Sequence, residues 1–249
     1  MLASCKLRSL TRNNIFFTRK FDVICCIANI CRIIKLQELQ ELQELQELQE
    51  FCSSIIYPME QHPFKPFLPV NARILFLGSF PPTSKRWSIP FYYPNWQNDM
   101  WRMVGLLFYG DKDYFCLIPQ KKYNQPLLED FLNERGIALS DTAQAVTRLK
   151  GNASDKFLQI DVPMDLSGHL RAMPQCDTIV VTGEKAGGEF LSIFPQVEAL
   201  PAVGQSVTFP FGDRQIRLFR MPSTSRAYPR PLQYKADLYR KAFESAGLL

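Results

Sequence analysis

Histidine is scarce in this chain, and cysteine nearly runs out after residue 52. There are two histidines, His62 and His169, and seven cysteines. Five of the cysteines (Cys5, Cys25, Cys26, Cys31 and Cys52) crowd the start, leaving only Cys116 and Cys176 beyond it, and no Cys-x-x-Cys pair occurs. A structural zinc site needs four closely spaced ligands and a disulfide framework needs its cysteines within one small domain. Neither is expected, and no metal is. Two cysteines are also too few to hold an iron-sulfur cluster, so no cofactor is expected either. Having only two histidines counts against a Ser-His-Asp or Cys-His hydrolase. The thiol usage reads as that of a reduced, intracellular protein, cytoplasmic and, in a bacterium, nucleoid-associated. Long apolar runs are lacking too. Residues 23–34 are apolar but broken by Arg32, short of the ~20 residues a membrane span requires.

Net charge is only +5 in 249 residues, too small to announce a polyanion partner. Its distribution says more. Between Arg214 and Lys241 stand eight basic residues (Arg214, Arg217, Arg220, Arg226, Arg230, Lys235, Arg240 and Lys241) against one acid, Asp237. A local excess of this kind suits a phosphate-tracking surface. From charge alone, a solvated helix face beside a basic strand edge is an equal reading.

Residues 1–58 read as a non-domain extension. From Leu36 to Glu50 the sequence is Leu-Gln-Glu five times over. A period of three advances about 300° per repeat on a helix, so the leucines walk around the axis and offer no single stripe to a core or a coiled-coil partner. The Arg-rich, acid-poor stretch 7–20 has the composition of an organelle presequence, and with the apolar run, of an odd signal peptide. The plainer reading is an over-extended start or disordered tail. Met59 opens Met59-Glu-Gln-His-Pro-Phe-Lys-Pro-Phe-Leu-Pro, which has the look of a beginning, and residues 59–249 are read as one domain.

That domain alternates strand and helix signals. Residues 73–77, 137–140, 178–182 and 215–220 read as strands, the first and third each followed by glycine. Helices are expected over 99–109, 127–135 (closed by Gly136), 184–193 and 231–246. Strands interleaved with helices imply a three-layer α/β/α sandwich around a central, mainly parallel four-stranded sheet. In such folds ligands bind beyond the carboxyl ends of the strands. The unusual residues of this chain cluster there: Gly78-Ser-Phe-Pro-Pro82, Asp141-Thr142, Thr182-Gly183 and Met221-Pro-Ser-Thr-Ser225.

Two of these strand ends carry a family likeness. Leu77-Gly-Ser-Phe-Pro-Pro82, followed by Tyr92-Tyr-Pro-Asn-Trp-Gln-Asn-Asp-Met-Trp101, resembles the first motif of the mismatch-specific and hypoxanthine (deoxyinosine) branches of the uracil-DNA glycosylase superfamily. Met221-Pro-Ser-Thr-Ser225 resembles the Met-Pro-Ser-Ser-Ser loop of the thymine-DNA glycosylases. Gly136-Ile-Ala-Leu-Ser-Asp-Thr142 and Val181-Thr-Gly183 fall where the family has its middle strands. There are departures. Phe80 stands where the mismatch-specific branch has its catalytic Asn, and Met221 where the uracil-specific branch has a His. In the hypoxanthine-like branch the Asn of the Tyr-Tyr…Asn…Trp segment takes over, which is Asn98 here, although Trp96 occupies that branch's proline site.

The resemblance implies a DNA glycosylase of base-excision repair. Lys85 and Lys185 lie near strand ends but nothing marks either as an activated amine nucleophile, so a monofunctional enzyme is expected. Its partner would be DNA carrying a deaminated or mismatched base (uracil, hypoxanthine or a related one), and it would act as a monomer. Asn98 and Asp141 are the candidate catalytic residues, able to orient a water and to stabilise a cationic sugar. Gly78, Ser79, Phe80 and Tyr93 would form the base pocket. Ser223, Thr224 and Ser225 would clamp phosphates, with Arg226, Tyr228 and Arg230 beside them and Arg226 or Tyr228 as wedge. Each has a plainer rival. Asn98 precedes a helix and is a natural cap, worth ~1 kcal/mol. Asp141 suits a turn cap, and the aromatic residues suit a core. Two other functions stay open: a non-catalytic DNA-binding protein on a glycosylase fold, and a hydrolase of free nucleosides or nucleotides.

Overall fold

The computed structural model describes residues 35–36, 39–47, 57–150 and 155–249. The chain divides into two compact units, Met1–Ile56 and Tyr57–Leu249. In the first, residues 39–47 are helical, and Leu39, Leu42 and Leu45 are all well exposed, as a three-residue period requires. The presequence-like stretch 7–20 and the apolar run 23–34 lie outside the described residues.

In the second unit the elements run β1 (Met59–Gln61), β2 (Ile74–Gly78), α1 (Met100–Tyr109), β3 (Cys116–Leu117), β4 (Lys122–Tyr123), α2 (Gln125–Arg135), β5 (Ile137–Asp141), β6 (Ala143–Arg148), β7 (Leu158–Pro163), α3 (Leu166–Ala172), β8 (Thr178–Thr182), α4 (Glu184–Ile193), β9 (Ser206–Phe211), β10 (Arg214–Met221) and α5 (Leu232–Ser245). The main sheet has the order β5-β2-β8-β10-β9. Its first four strands are the four expected from sequence, and all their pairings are parallel. β2, β5 and β8 are buried on both faces, β10 only in part because Gln215 and Arg217 are exposed, and the apolar side chains alternate between two cores. Ile74 and Phe76 of β2, Val180 of β8, and Phe219 and Met221 of β10 point to one core, shared with α1, α2 and α5. Leu75 and Leu77, Ile179 and Val181, and Ile216 and Leu218 point to the other, shared with α3 and α4. Period-two alternation with both faces apolar is why β2, β5 and β8 read as hydrophobic runs, whereas β10 keeps Gln215, Arg217 and Arg220 among its apolar residues. It also makes the layers α/β/α.

The sheet has one strand more than expected. β9 pairs antiparallel with β10 through a hairpin whose turn carries Gly212 at φ +58. Pro210 breaks the strand signal, yet an edge strand tolerates it because the missing N–H can face solvent. A small antiparallel sheet, β1-β6-β7, is likewise not legible in the sequence, and nor is the short helix α3. Helix α2 begins two residues earlier than expected. Asn124 caps it by accepting a hydrogen bond from Leu127 N–H at 3.4 Å, and Pro126 occupies the first turn, where its lack of an N–H costs nothing.

Candidate functional site

The four parallel strands end level with one another. Gly78 of β2 is in register with Asp141 of β5, and Met221 of β10 with Thr182 of β8. The chain leaves the sheet at each of these points, and the loops enclose a cleft of about 780 Å³. Gly78, Ser79, Phe80, Tyr93, Asn98 and Asp141 line it, and so do Ser223, Thr224, Ser225, Arg226 and Tyr228. One residue singled out from sequence is not brought there. Arg230 is exposed, with its guanidinium 5.8 Å from the centre of the Tyr234 ring.

The two outer walls are tied to each other. Asp99 N–H donates to the Thr224 carbonyl at 3.0 Å. Lys235, on α5, reaches up between them: its Nζ is 2.6 Å from Asp99 Oδ2 and donates to the Ser225 carbonyl at 3.4 Å. Lys235 is only 1% exposed, so its charge is satisfied by this bridge. Its neighbour Tyr239 donates from its hydroxyl to the Pro222 carbonyl at 2.7 Å. Helix α5 thus fixes the serine-rich loop from below by two buried polar contacts.

Asn98 plays its capping part while lining the cleft. Its Oδ1 accepts Met100 N–H at 2.9 Å, and its backbone carbonyl accepts the Tyr123 hydroxyl at 2.9 Å. A carbonyl oxygen has two lone pairs, so the cap leaves one for a further donor. Tyr93 holds a left-handed backbone at φ +49, a conformation rare for a bulky residue. Its buried hydroxyl faces the Thr182 hydroxyl, which donates to the Leu77 carbonyl at 3.0 Å and keeps lone pairs to accept from Tyr93. Burial drives the Tyr93 phenol well above the usual tyrosine range.

Asp141 does not cap a turn. Its Oδ2 sits 2.9 Å from Nε2 of His62, and the two side chains are 9% and 3% exposed. Its other oxygen, Oδ1, lies against Gly78, where an added Cβ would come within 2.4 Å. His62 is carried by the small sheet: β1 pairs with β6 from Met59 to Gln61, and His62 N–H donates to the Gln144 carbonyl at 2.8 Å. The same sheet brings in Arg148, which donates from Nε to Glu60 at 3.0 Å and from Nη2 to the Pro81 carbonyl at 2.6 Å. Its guanidinium also lies 5.5 Å from the centre of the Phe80 ring. The sheet that sequence reasoning misses is thus the prop for residues 78–82 and for Asp141. His62 escapes the same reasoning because a lone histidine suggests only a metal ligand or a hydrolase base. The available signal is its place in a compact His-Pro-Phe run entering the domain.

Positive charge gathers on the cleft, but not as the sequence suggests. Arg220 and Arg226 line it, joined by Arg86, Lys156 and Lys185 from other segments. The remaining basic residues of the 214–241 stretch are mostly engaged elsewhere. Arg214 donates to the carbonyls of Leu170, Met173, Pro174 and Cys176, Arg217 bonds Ser245, and Lys235 is buried. The linear cluster is split by strand alternation and helix periodicity, so it is not one surface.

No protein-family model matches the chain, and no curated protein sequence does. Among solved structures the chain is similar to a solution NMR structure from Methanosarcina acetivorans of a protein provisionally named uracil DNA glycosylase. The two are 24% identical with a TM-score of 0.52, and the match covers 76% of this chain and 99% of that one. The likeness is one of fold: a mixed α/β domain with a central, mostly parallel sheet. Among the described residues no helix is long and apolar enough to cross a membrane, and no cluster of three potential metal-ligating side chains occurs.

Proposed function

We propose that the chain is a monofunctional DNA glycosylase that extrudes a deaminated base, such as uracil or hypoxanthine, and hydrolyses its N-glycosidic bond. The observation that carries this reading is the cleft itself. A buried carboxylate at its floor (Asp141), a capping Asn at its wall and a serine-rich loop flanked by arginines stand at the carboxyl edge of one parallel sheet. The likeness to a provisionally named uracil DNA glycosylase supports the same reading at the level of fold.

The chemistry asks for three things. Cleavage builds cationic character on the sugar and negative charge on the departing base, while a water must be held beneath C1′. In the proposed reaction the water oxygen bonds to C1′ as the C1′–N bond breaks. The bonding electron pair leaves with the base, and the water's proton passes to Asp141. Asn98 orients the same water through its second lone pair. A carboxylate suits the cationic sugar electrostatically, above all in a site walled from solvent by Phe80 and Tyr93. Backbone amides of residues 79 and 80 meet the base oxygen. Ser223 and Ser225 hold flanking phosphates together with Arg220 and Arg226, and Arg226 or Tyr228 fills the gap left in the duplex.

The test is a panel of oligonucleotides, duplex and single-stranded, bearing uracil, hypoxanthine, xanthine or mismatched thymine, treated with alkali after incubation. Lesion-dependent cutting that falls at least 100-fold in Asp141→Asn or Asn98→Ala is the expected result, within the ~10²–10⁴ range that an acid-base group contributes. Salt-sensitive binding with no cutting of any lesion would instead assign the chain to non-catalytic DNA binding.

A further inference from the structure

The His62–Asp141 pair has a consequence for the proposed excision reaction. We propose that His62 is a positioning residue for Asp141, and that the small β1-β6-β7 sheet exists in the site to deliver it; this rests on the glycosylase reading. Three observations carry the inference. An ionised carboxylate can only accept a hydrogen bond, so Nε2 of His62 donates to Oδ2 across their 2.9 Å separation. The opposite ring nitrogen is also held: Nδ1 lies 2.7 Å from the Phe64 carbonyl and 3.1 Å from Phe64 N. With Nδ1 accepting Phe64 N–H, a neutral ring carries its one proton on Nε2; donation from Nδ1 to the Phe64 carbonyl as well requires a proton on each nitrogen. The ring cannot swing, because Phe64, Phe80 and Tyr92 surround it with centroids 5.8, 5.2 and 5.8 Å away.

Fixing Oδ2 leaves the carboxylate one choice of orientation, with Oδ1 laid over Gly78 at the cleft floor. The floor admits this only because position 78 has no side chain. His62 therefore gives the two oxygens separate roles. Oδ2 holds the group in place, and Oδ1 is left to take the water's proton. Without the imidazole, Asp141 would rotate and lose its aim at C1′. A misplacement of about 1 Å in such a group costs on the order of 10²-fold in rate.

The experiment measures single-turnover excision on whichever lesion duplex the wild type cuts, together with affinity for that duplex. His62→Phe keeps the aromatic packing and removes the donor, while His62→Gln returns a side-chain N–H near the Nε2 position. The expected result is a loss of about 10²-fold in rate for His62→Phe, with affinity changed less than about threefold. His62→Gln should restore the rate to within about tenfold of wild type. In an Asp141→Asn background, His62→Phe should cost nothing more, since a positioning residue acts only through the group it positions. A wild-type rate in His62→Phe, or losses that multiply in the double variant, would overturn the assignment. So would equal damage from Gln and Phe. Wild-type protein that cuts no lesion would remove the glycosylase reading and this inference together, whereas active wild type with indifferent His62 variants would remove the inference alone. ¹⁵N-histidine NMR adds a readout free of activity, since only two histidines contribute. One Nε2–H resonance should shift upfield on Asp141→Asn, and an unmoved spectrum would contradict the hydrogen bond.

Discussion

At the residue scale, the proposed reaction turns on the surroundings of one carboxylate. Gly78 is required by space and not by backbone freedom. Gly78→Ala would push a methyl to 2.4 Å from Asp141 Oδ1, and the carboxylate must turn. Excision should drop about 10²-fold while the far-ultraviolet circular dichroism spectrum stays that of wild type; full activity in Gly78→Ala would place the reacting oxygen elsewhere. The tyrosines make a second residue-scale prediction. Of nine tyrosines, burial raises the phenols of Tyr92, Tyr93, Tyr123 and Tyr239 above their usual range. A raised folded-state value favours the neutral phenol, so these groups contribute stability below about pH 10, the unfolded value, and lose it as pH climbs higher. Absorbance at 295 nm should show them ionising only together with alkaline unfolding. Much of this scale is legible in the sequence. Eleven of the twelve candidate site residues line one cleft, because strand ends and loop chemistry are written locally. Asp141's partner is not legible, since the contact between His62 and Asp141 spans 79 residues and no local pattern encodes it.

At the scale of elements, α5 and the small sheet act as struts for loops they do not belong to. Lys235→Met would strand the Asp99 carboxylate and cut the tie between residue 99 and the serine-rich loop. Breaking a buried pair by removing one partner costs about 3–5 kcal/mol. The Asp99 side chain is 26% exposed, so about 3 kcal/mol is expected, read as a lower urea midpoint. An unchanged midpoint would mean the bridge adds nothing. The four central strands and the long helices can be read from sequence because double-sided burial and helical capping leave local marks. The hairpin strand β9 cannot, because Pro210 and an exposed face hide it. The β1-β6-β7 sheet is hidden as well: β1 is three residues long, and β6 pairs with β7 across bulges that disturb the alternation.

At the scale of the molecule, the unit from Tyr57 to Leu249 contains both cores, the cleft and the prop that carries His62. We therefore expect a chain beginning at Met59 to keep the thermal midpoint and excision rate of the full chain, whereas one beginning at Phe64 should lose β1, His62 and the activity. Loss of folding on removal of residues 1–58 would show that the extension is structural. Charge also belongs to this scale. A net +5 spread over the chain predicts little, while five cations converging on one cleft predict binding to lesion DNA that weakens steeply with salt. Arg226→Ala should flatten that slope by about one unit; an unaltered slope would take Arg226 off the phosphates. Base release in ¹⁸O-labelled water tests the glycosylase reading at its root. Hydrolysis at C1′ should yield free, unlabelled base, one ¹⁸O atom on the sugar of an intact strand, and no protein–DNA adduct trapped by borohydride. Absence of free base, or a trapped adduct with strand scission, would contradict it.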